Sequence, residues 1–198
     1  MSKEIRLGLD MDGVLFDFNT RCSQWVRRLF GVTAPTVGDT YPSEWDWLDK
    51  HITKEQDREL WRTIGQSDNF WQNLPIYNHS SRVLDVALSK ASKLYYITSR
   101  SGNRVQYQTE RALIGLVGPG NFTGGVIPAA RAEDKIPLIN ALKLTHFVDD
   151  KAETVELANS TCFSTKVAVW DQPWNRSVIF APTVTRLTNA EEFDQWLT

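Results

Sequence analysis

Cysteine is nearly absent from this chain: Cys22 and Cys162 are the only two in 198 residues, far apart and in no metal-ligand spacing. That usage excludes a disulfide scaffold or a cysteine-built metal centre and reads as two reduced, partly buried thiols. Long hydrophobic runs are missing too. No apolar stretch approaches the roughly 18 residues of a membrane span. Met1 to Arg6 carries no apolar segment of signal-peptide length, so a cytoplasmic location away from membranes is expected. Neither sign of charge dominates, and the net charge is −2. A nucleic-acid polymer demands a basic face and is disfavoured as a partner. The histidines, His51, His79 and His146, show no paired arrangement and are assigned no chemistry.

What is present fits an ordinary globular protein, 41% hydrophobic and 23% charged, long enough for one core and a small satellite. Ile5, Leu7 and Leu9 alternate toward Asp10-Met11-Asp12-Gly13, a strand feeding a tight loop. From about Asp17 to Asn78 the character changes. This insert holds five of the eight tryptophans (Trp25, Trp45, Trp47, Trp61, Trp71) and several helical stretches. Thr53 followed by Gln56 predicts a capping box, with Leu60, Trp61 and Ile64 as the apolar stripe behind it. Between Asp39 and Phe70 eight acids face four bases, a balance that repels a polyanion but admits a single nucleotide held by a metal.

After the insert, helix and strand alternate. Helices are predicted over Ser81 to Ala91, Asn103 to Val117 (stopped by Gly118-Pro119-Gly120), Ile136 to Leu144, Ala152 to Ala158 and Ala190 to Leu197. Strands are predicted at Lys93 to Ser99, Gly125 to Pro128, Thr145 to Asp149, Lys166 to Trp170 and near Val184. The fold class is therefore α/β: a Rossmann-like parallel sheet with helices on both faces, plus a small helical cap. The expected division is 1–16 with 79–198 as the core and 17–78 as the cap. Such sheets carry their sites at the carboxyl ends of the strands. The polar residues there are Asp10 and Asp12, Thr98 and Ser99, and Asp149 and Asp150, with Lys135 in a loop after the strand at Val126.

Asp10 and Asp12 place two carboxylates at one strand end, Thr98 can bond a phosphate oxygen, Lys135 can neutralise one, and Asp149-Asp150 can hold a divalent cation. Carboxylates alone repel a phosphate dianion by roughly 4 kcal/mol per contact near 4 Å at an effective dielectric of 20. Mg²⁺ and an ammonium reverse that field, and an all-oxygen ligand set suits Mg²⁺. The order Asp-x-Asp-Gly, Thr-Ser, Lys, Asp-Asp resembles the haloacid dehalogenase superfamily of phosphatases over essentially the whole chain. The resemblance implies Asp10 as a nucleophile forming an aspartyl-phosphate. Asp12 would act as general acid and base. Asp10, Asp12 (through its carbonyl), Asp149 and Asp150 would hold Mg²⁺, which of the last two directly being left open.

Asp10 to Phe18 (DMDGVLFDF) looks like the 5′(3′)-deoxyribonucleotidases, as do Thr98-Ser99 and Asn69 to Pro75 (NFWQNLP). That likeness implies a nucleoside monophosphate as substrate, its base enclosed by Phe18, Trp45, Trp47 and Phe70. Aromatic faces stack on nucleobases for about 1–3 kcal/mol each. Trp45 and Trp47 read equally as core, and Trp61 reads as core. Arg100, where many relatives carry proline, either adds positive potential near the phosphate or caps the following helix, the second being preferred. Asp171 to Asn175 either borders the site or forms a surface loop, the second again preferred. Another small phosphomonoester, or phosphate sensing with weak turnover, are the alternatives. Oligomeric state stays open, a homodimer included.

Overall fold

A computed structural model describes residues 4–34, 42–119 and 124–198; Asp39 and Gly120, used above, lie outside them. Six strands are assigned among these residues: β1 (Arg6–Leu9), β2 (Lys93–Thr98), β3 (Gly125–Pro128), β4 (His146–Asp149), β5 (Lys166–Trp170) and β6 (Thr185–Leu187). They form one sheet in the order β3-β2-β1-β4-β5-β6, every pairing parallel. The short apolar runs separated by helical segments impose this arrangement, because parallel neighbours need a crossover. The helices are α1 (Phe18–Phe30), α2 (Lys54–Gln66), α3 (Ser80–Lys90), α4 (Val105–Val117), α5 (Lys135–Ala141), α6 (Ala152–Thr161) and α7 (Ala190–Trp196).

Two apolar clusters cover the sheet's two faces. Ile97, Ile139, Phe147, Val155, Val167 and Val169 build one. The other unites Leu7, Leu9, Val148 and Ala168 with Leu60, Ile64, Phe70 and Leu74 of the insert, so strand and cap residues share one interior. The chain leaves and re-enters the sheet at adjacent points, where Asp17 N donates to Pro75 O (2.8 Å) and Tyr77 N to Leu15 O (3.2 Å). Within the insert, Asp17 caps α1 by accepting from Thr20 N (2.9 Å), and the Thr53–Gln56 capping box opens α2.

The strand order fixes the site. From β1 the chain moves outward through β2 and β3, then returns to β4 on the other side of β1. A crevice opens at that reversal, beyond the carboxyl ends of β1 and β4. Asp10 follows one strand and Asp149-Asp150 closes the other.

Candidate active site

The floor of the crevice is a charged network. Asp10, whose N donates to Val148 O (2.9 Å), points its Oδ1 at the Lys135 ammonium. The same ammonium donates to Asp149 Oδ2 (2.8 Å), and Asp149 Oδ1 accepts from Lys151 N (2.9 Å). Asp150 Oδ2 accepts from Trp174 Nε1 (2.9 Å). Lys135 does not ride a loop as the sequence suggested: it is the first residue of α5, whose N-terminal turn aims it inward. All four of these charged side chains are buried.

Gly13 has φ +84°, a conformation glycine adopts freely, and a Cβ there would collide with the Asp150 carboxylate. The loop after β5 holds both partners in place. Gln172 Nε2 donates to Gly13 O (2.5 Å), and Asn175 Nδ2 donates to Asp150 O and Trp170 O (2.8 Å each). Residues 172, 174 and 175 are buried. The expectation of a surface loop here is corrected: the side-chain amides and indole turn inward because the site's carbonyls and carboxylate need donors.

Oxygens of Asp10, Asp149 and Asp150 lie within 4.8 Å of one another. Burial is the main force raising the Asp10 carboxyl to about 7, and the neighbouring Asp149 and Asp12 charges raise it further against the pull of Lys135. Asp150 is raised for the same leading reason, helped by Asp10 and Asp149. Burial alone would lower Lys135, but the Asp10 and Asp149 carboxylates outweigh it and raise the ammonium above its ordinary value. Three buried acids thus share one cation. That oxygen-only, charge-deficient set fits a hard divalent ion such as Mg²⁺.

The carboxylate of Asp12 is not in this group. It turns to Arg100, accepting from Nε (2.8 Å) and Nη2 (2.7 Å) in a two-pronged pair. Arg100 is only 3% exposed, so the reading of it as a solvent-side helix cap is overturned. A guanidinium of this shape matches a carboxylate in a way a capping role never requires. Thr98, also buried, accepts from Arg100 N through Oγ1 (3.4 Å).

Above the floor lies a cavity of about 170 Å³. Asp10, Asp12, Thr98, Ser99, Arg100, Lys135, Asp149 and Asp150 reach it from the sheet edge, and Phe18, Trp45, Trp61 and Trp71 wall it from the insert. Phe18 sits between Trp61 (centroids 5.8 Å, interplanar 11°) and Trp71 (5.8 Å, 20°). Trp45, 49% exposed, lies under the Lys151 ammonium (5.1 Å) and edge-on to Trp174 (6.1 Å).

Two sequence assignments fail here. Trp47 and Phe70 do not line the cavity but are buried in the cap, Trp47 donating to Asn19 Oδ1 (3.0 Å) and Phe70 wedged edge-on against Trp25 (4.9 Å) and Trp71 (4.8 Å). Conversely Trp61, read as core, is 40% exposed and forms a wall. Leu60 and Ile64 make the buried line of α2, and Trp61 stands about 100° around the helix from Leu60. Trp71 was missed because its neighbour Phe70 drew the assignment; the two rings touch, but only Trp71 reaches the cavity.

No protein-family model matches the sequence, and no curated protein does. Solved structures do match in shape. A HAD-superfamily hydrolase of subfamily IA from Geobacter sulfurreducens is 14% identical with TM-score 0.59, covering 98% of this chain and 97% of that one. An L-2-haloacid dehalogenase is 11% identical with TM-score 0.55 (99% and 100%). A haloacid dehalogenase-like hydrolase from Xanthomonas campestris is 11% identical with TM-score 0.56 (99% and 96%). At such identities the likeness is one of architecture, and the chain has the haloacid dehalogenase-like α/β fold.

Proposed function

We propose that this chain is a Mg²⁺-dependent phosphatase that hydrolyses nucleoside monophosphates through Asp10. The observation that carries the reading is one convergence: three buried carboxylates and Lys135 form the floor of a cavity whose walls are aromatic rings. Asp10, Asp150 and Asp149 are the residues that would hold the ion, which when bound supplies positive charge to the phosphate oxygens and the developing negative charge. Both oxygens of Asp149 already accept from Lys135 and Lys151, whereas Asp150 has one such bond, from Trp174, so Asp150 is the better direct ligand.

Lys135 grips one oxygen of Asp10 and leaves the other, Oδ2, to attack phosphorus. The Asp10–phosphorus bond forms as the ester P–O bond breaks, and the leaving oxygen takes a proton from Asp12. Asp12 then removes a proton from the water that cleaves the acyl phosphate and frees inorganic phosphate. Thr98 and Lys135 bond the transferring oxygens. Phe18, Trp61 and Trp71 give the cavity an aromatic wall, with Trp61 the most open ring of the three, which favours a nucleotide over a sugar phosphate.

Phosphate release from a panel of ribo- and deoxynucleoside monophosphates, sugar phosphates and an aryl phosphate, with and without Mg²⁺, tests this. Mg²⁺-dependent turnover with nucleotides ahead by tenfold or more in kcat/KM is expected. Sugar phosphates turning over faster would overturn the substrate class, and binding of phosphate without turnover would overturn the enzyme.

A further inference from the structure

Among the described residues, Arg100 is the one strongly buried charge beside the cavity that the mechanism above leaves without a task. We infer that Arg100 is a positioning residue: it fixes the Asp12 carboxylate for proton transfer and does not itself touch the substrate. The inference rests on the phosphatase reading and on the acid–base role given there to Asp12.

The geometry separates this role from phosphate binding. The Nε and Nη2 groups of Arg100 are both given to Asp12, and Nη1 donates to Thr109 Oγ1 on α4 (3.1 Å). The guanidinium also lies against the Phe16 ring (5.0 Å) and the Trp71 ring (5.2 Å). The side chain is 0% exposed, while that of Asp12 keeps 22% of its surface and opens into the cavity. Three of the five N–H groups of this guanidinium are bonded within the protein, and its full burial turns it toward Asp12 and Thr109 instead of toward a ligand. The carboxylate it holds faces the cavity, and the two parallel bonds restrict the rotation that an aspartate side chain otherwise has. Trp71, which donates its indole N–H to Ser101 O (3.0 Å), is both a wall of the cavity and the lid on this arginine.

A double-mutant cycle in kcat distinguishes positioning from simple support of the fold. R100M is expected to lower kcat for a nucleoside monophosphate by about 100-fold, within the range that one acid–base group contributes. KM should change by less than about threefold. In a D12N background, which is isosteric but cannot transfer the proton, R100M should cost less than about threefold more, because its only route of action is already closed. Additive losses, or a loss carried by KM, would overturn the inference while leaving the phosphatase reading intact. A wild-type chain that releases no phosphate would overturn both. If R100M does not fold, R100K carries the test: it keeps the charge but not the fork, so its kcat should fall at least tenfold with an unchanged melting temperature. R100K at wild-type kcat would refute positioning.

Discussion

On the floor of the cavity every charged side chain has a polar partner at 2.7–2.9 Å or closer, from Lys135 between Asp10 and Asp149 to Arg100 on Asp12 and Trp174 on Asp150. The walls follow other rules. Phe18 meets Trp61 and Trp71 by stacking at 5.8 Å, and the carbon faces of Trp61 and Trp45 are substantially open. Directional bonds fix the floor to fractions of an ångström, whereas ring contacts leave the walls free to take differently shaped ligands. On the phosphatase reading, the floor sets the reaction and the wall sets the substrate.

Breaking the floor should have the largest effect. D10N keeps the shape of the side chain and removes the proposed nucleophile, so turnover should fall by about 10⁴-fold or more with the fold intact. Phosphate release and circular dichroism on the same sample check it, and near-normal rates would end the covalent route. The wall sharpens the contrast through a pair of variants. W61A removes a half-open ring at the cavity and should raise KM for nucleotides about 5- to 50-fold with a small change in melting temperature. F70A removes a fully buried ring and should cost about 3–5 kcal/mol of stability, seen in denaturant melts. If the two variants exchanged phenotypes, the division between wall and cap core would be wrong.

The smallest effect lies in the pH dependence of the metal-free protein. Asp10 holds its proton up to about 7 when folded, against 3.8 as the ordinary value. Between those values the folded chain binds more protons than the unfolded one, so this group makes stability fall as pH rises from about 4 to about 7. D10N lacks that penalty. Its melting temperature relative to wild type should climb through this window, by about 2–4 °C for each kcal/mol relieved. A difference that stayed flat with pH would show that the folded Asp10 is not strained by its charge.

How far the sequence reveals each region follows from the same contrast. Asp10, Thr98, Lys135 and Asp149-Asp150 could be placed together because each ends a strand or opens a helix of one parallel sheet, and strand ends are countable from pattern alone. The fold class followed from that alternation. Trp47, Phe70 and Trp61 could not be sorted, because an aromatic ring serves equally as cap core or cavity wall, and a turn of 100° on α2 separates the two. Arg100 and the loop of Gln172, Trp174 and Asn175 were misjudged for another reason. Their partners, Asp12, Gly13 and Asp150, are 88, 159 and 24–25 residues away in the chain, and no local spacing records such a pairing.

The interior that runs unbroken from Leu7 and Leu9 to Leu60, Ile64 and Phe70 has a consequence for traffic. Moving the helical insert as a block would disturb this shared interior, at about 1.5–3 kcal/mol for each large apolar side chain that it wetted. At the periphery Trp45 stands half open with Lys151 and Trp174 as its neighbours, and it can move without disturbing that interior. The least costly way into this cavity is past a single indole at the sill, not through the whole ceiling.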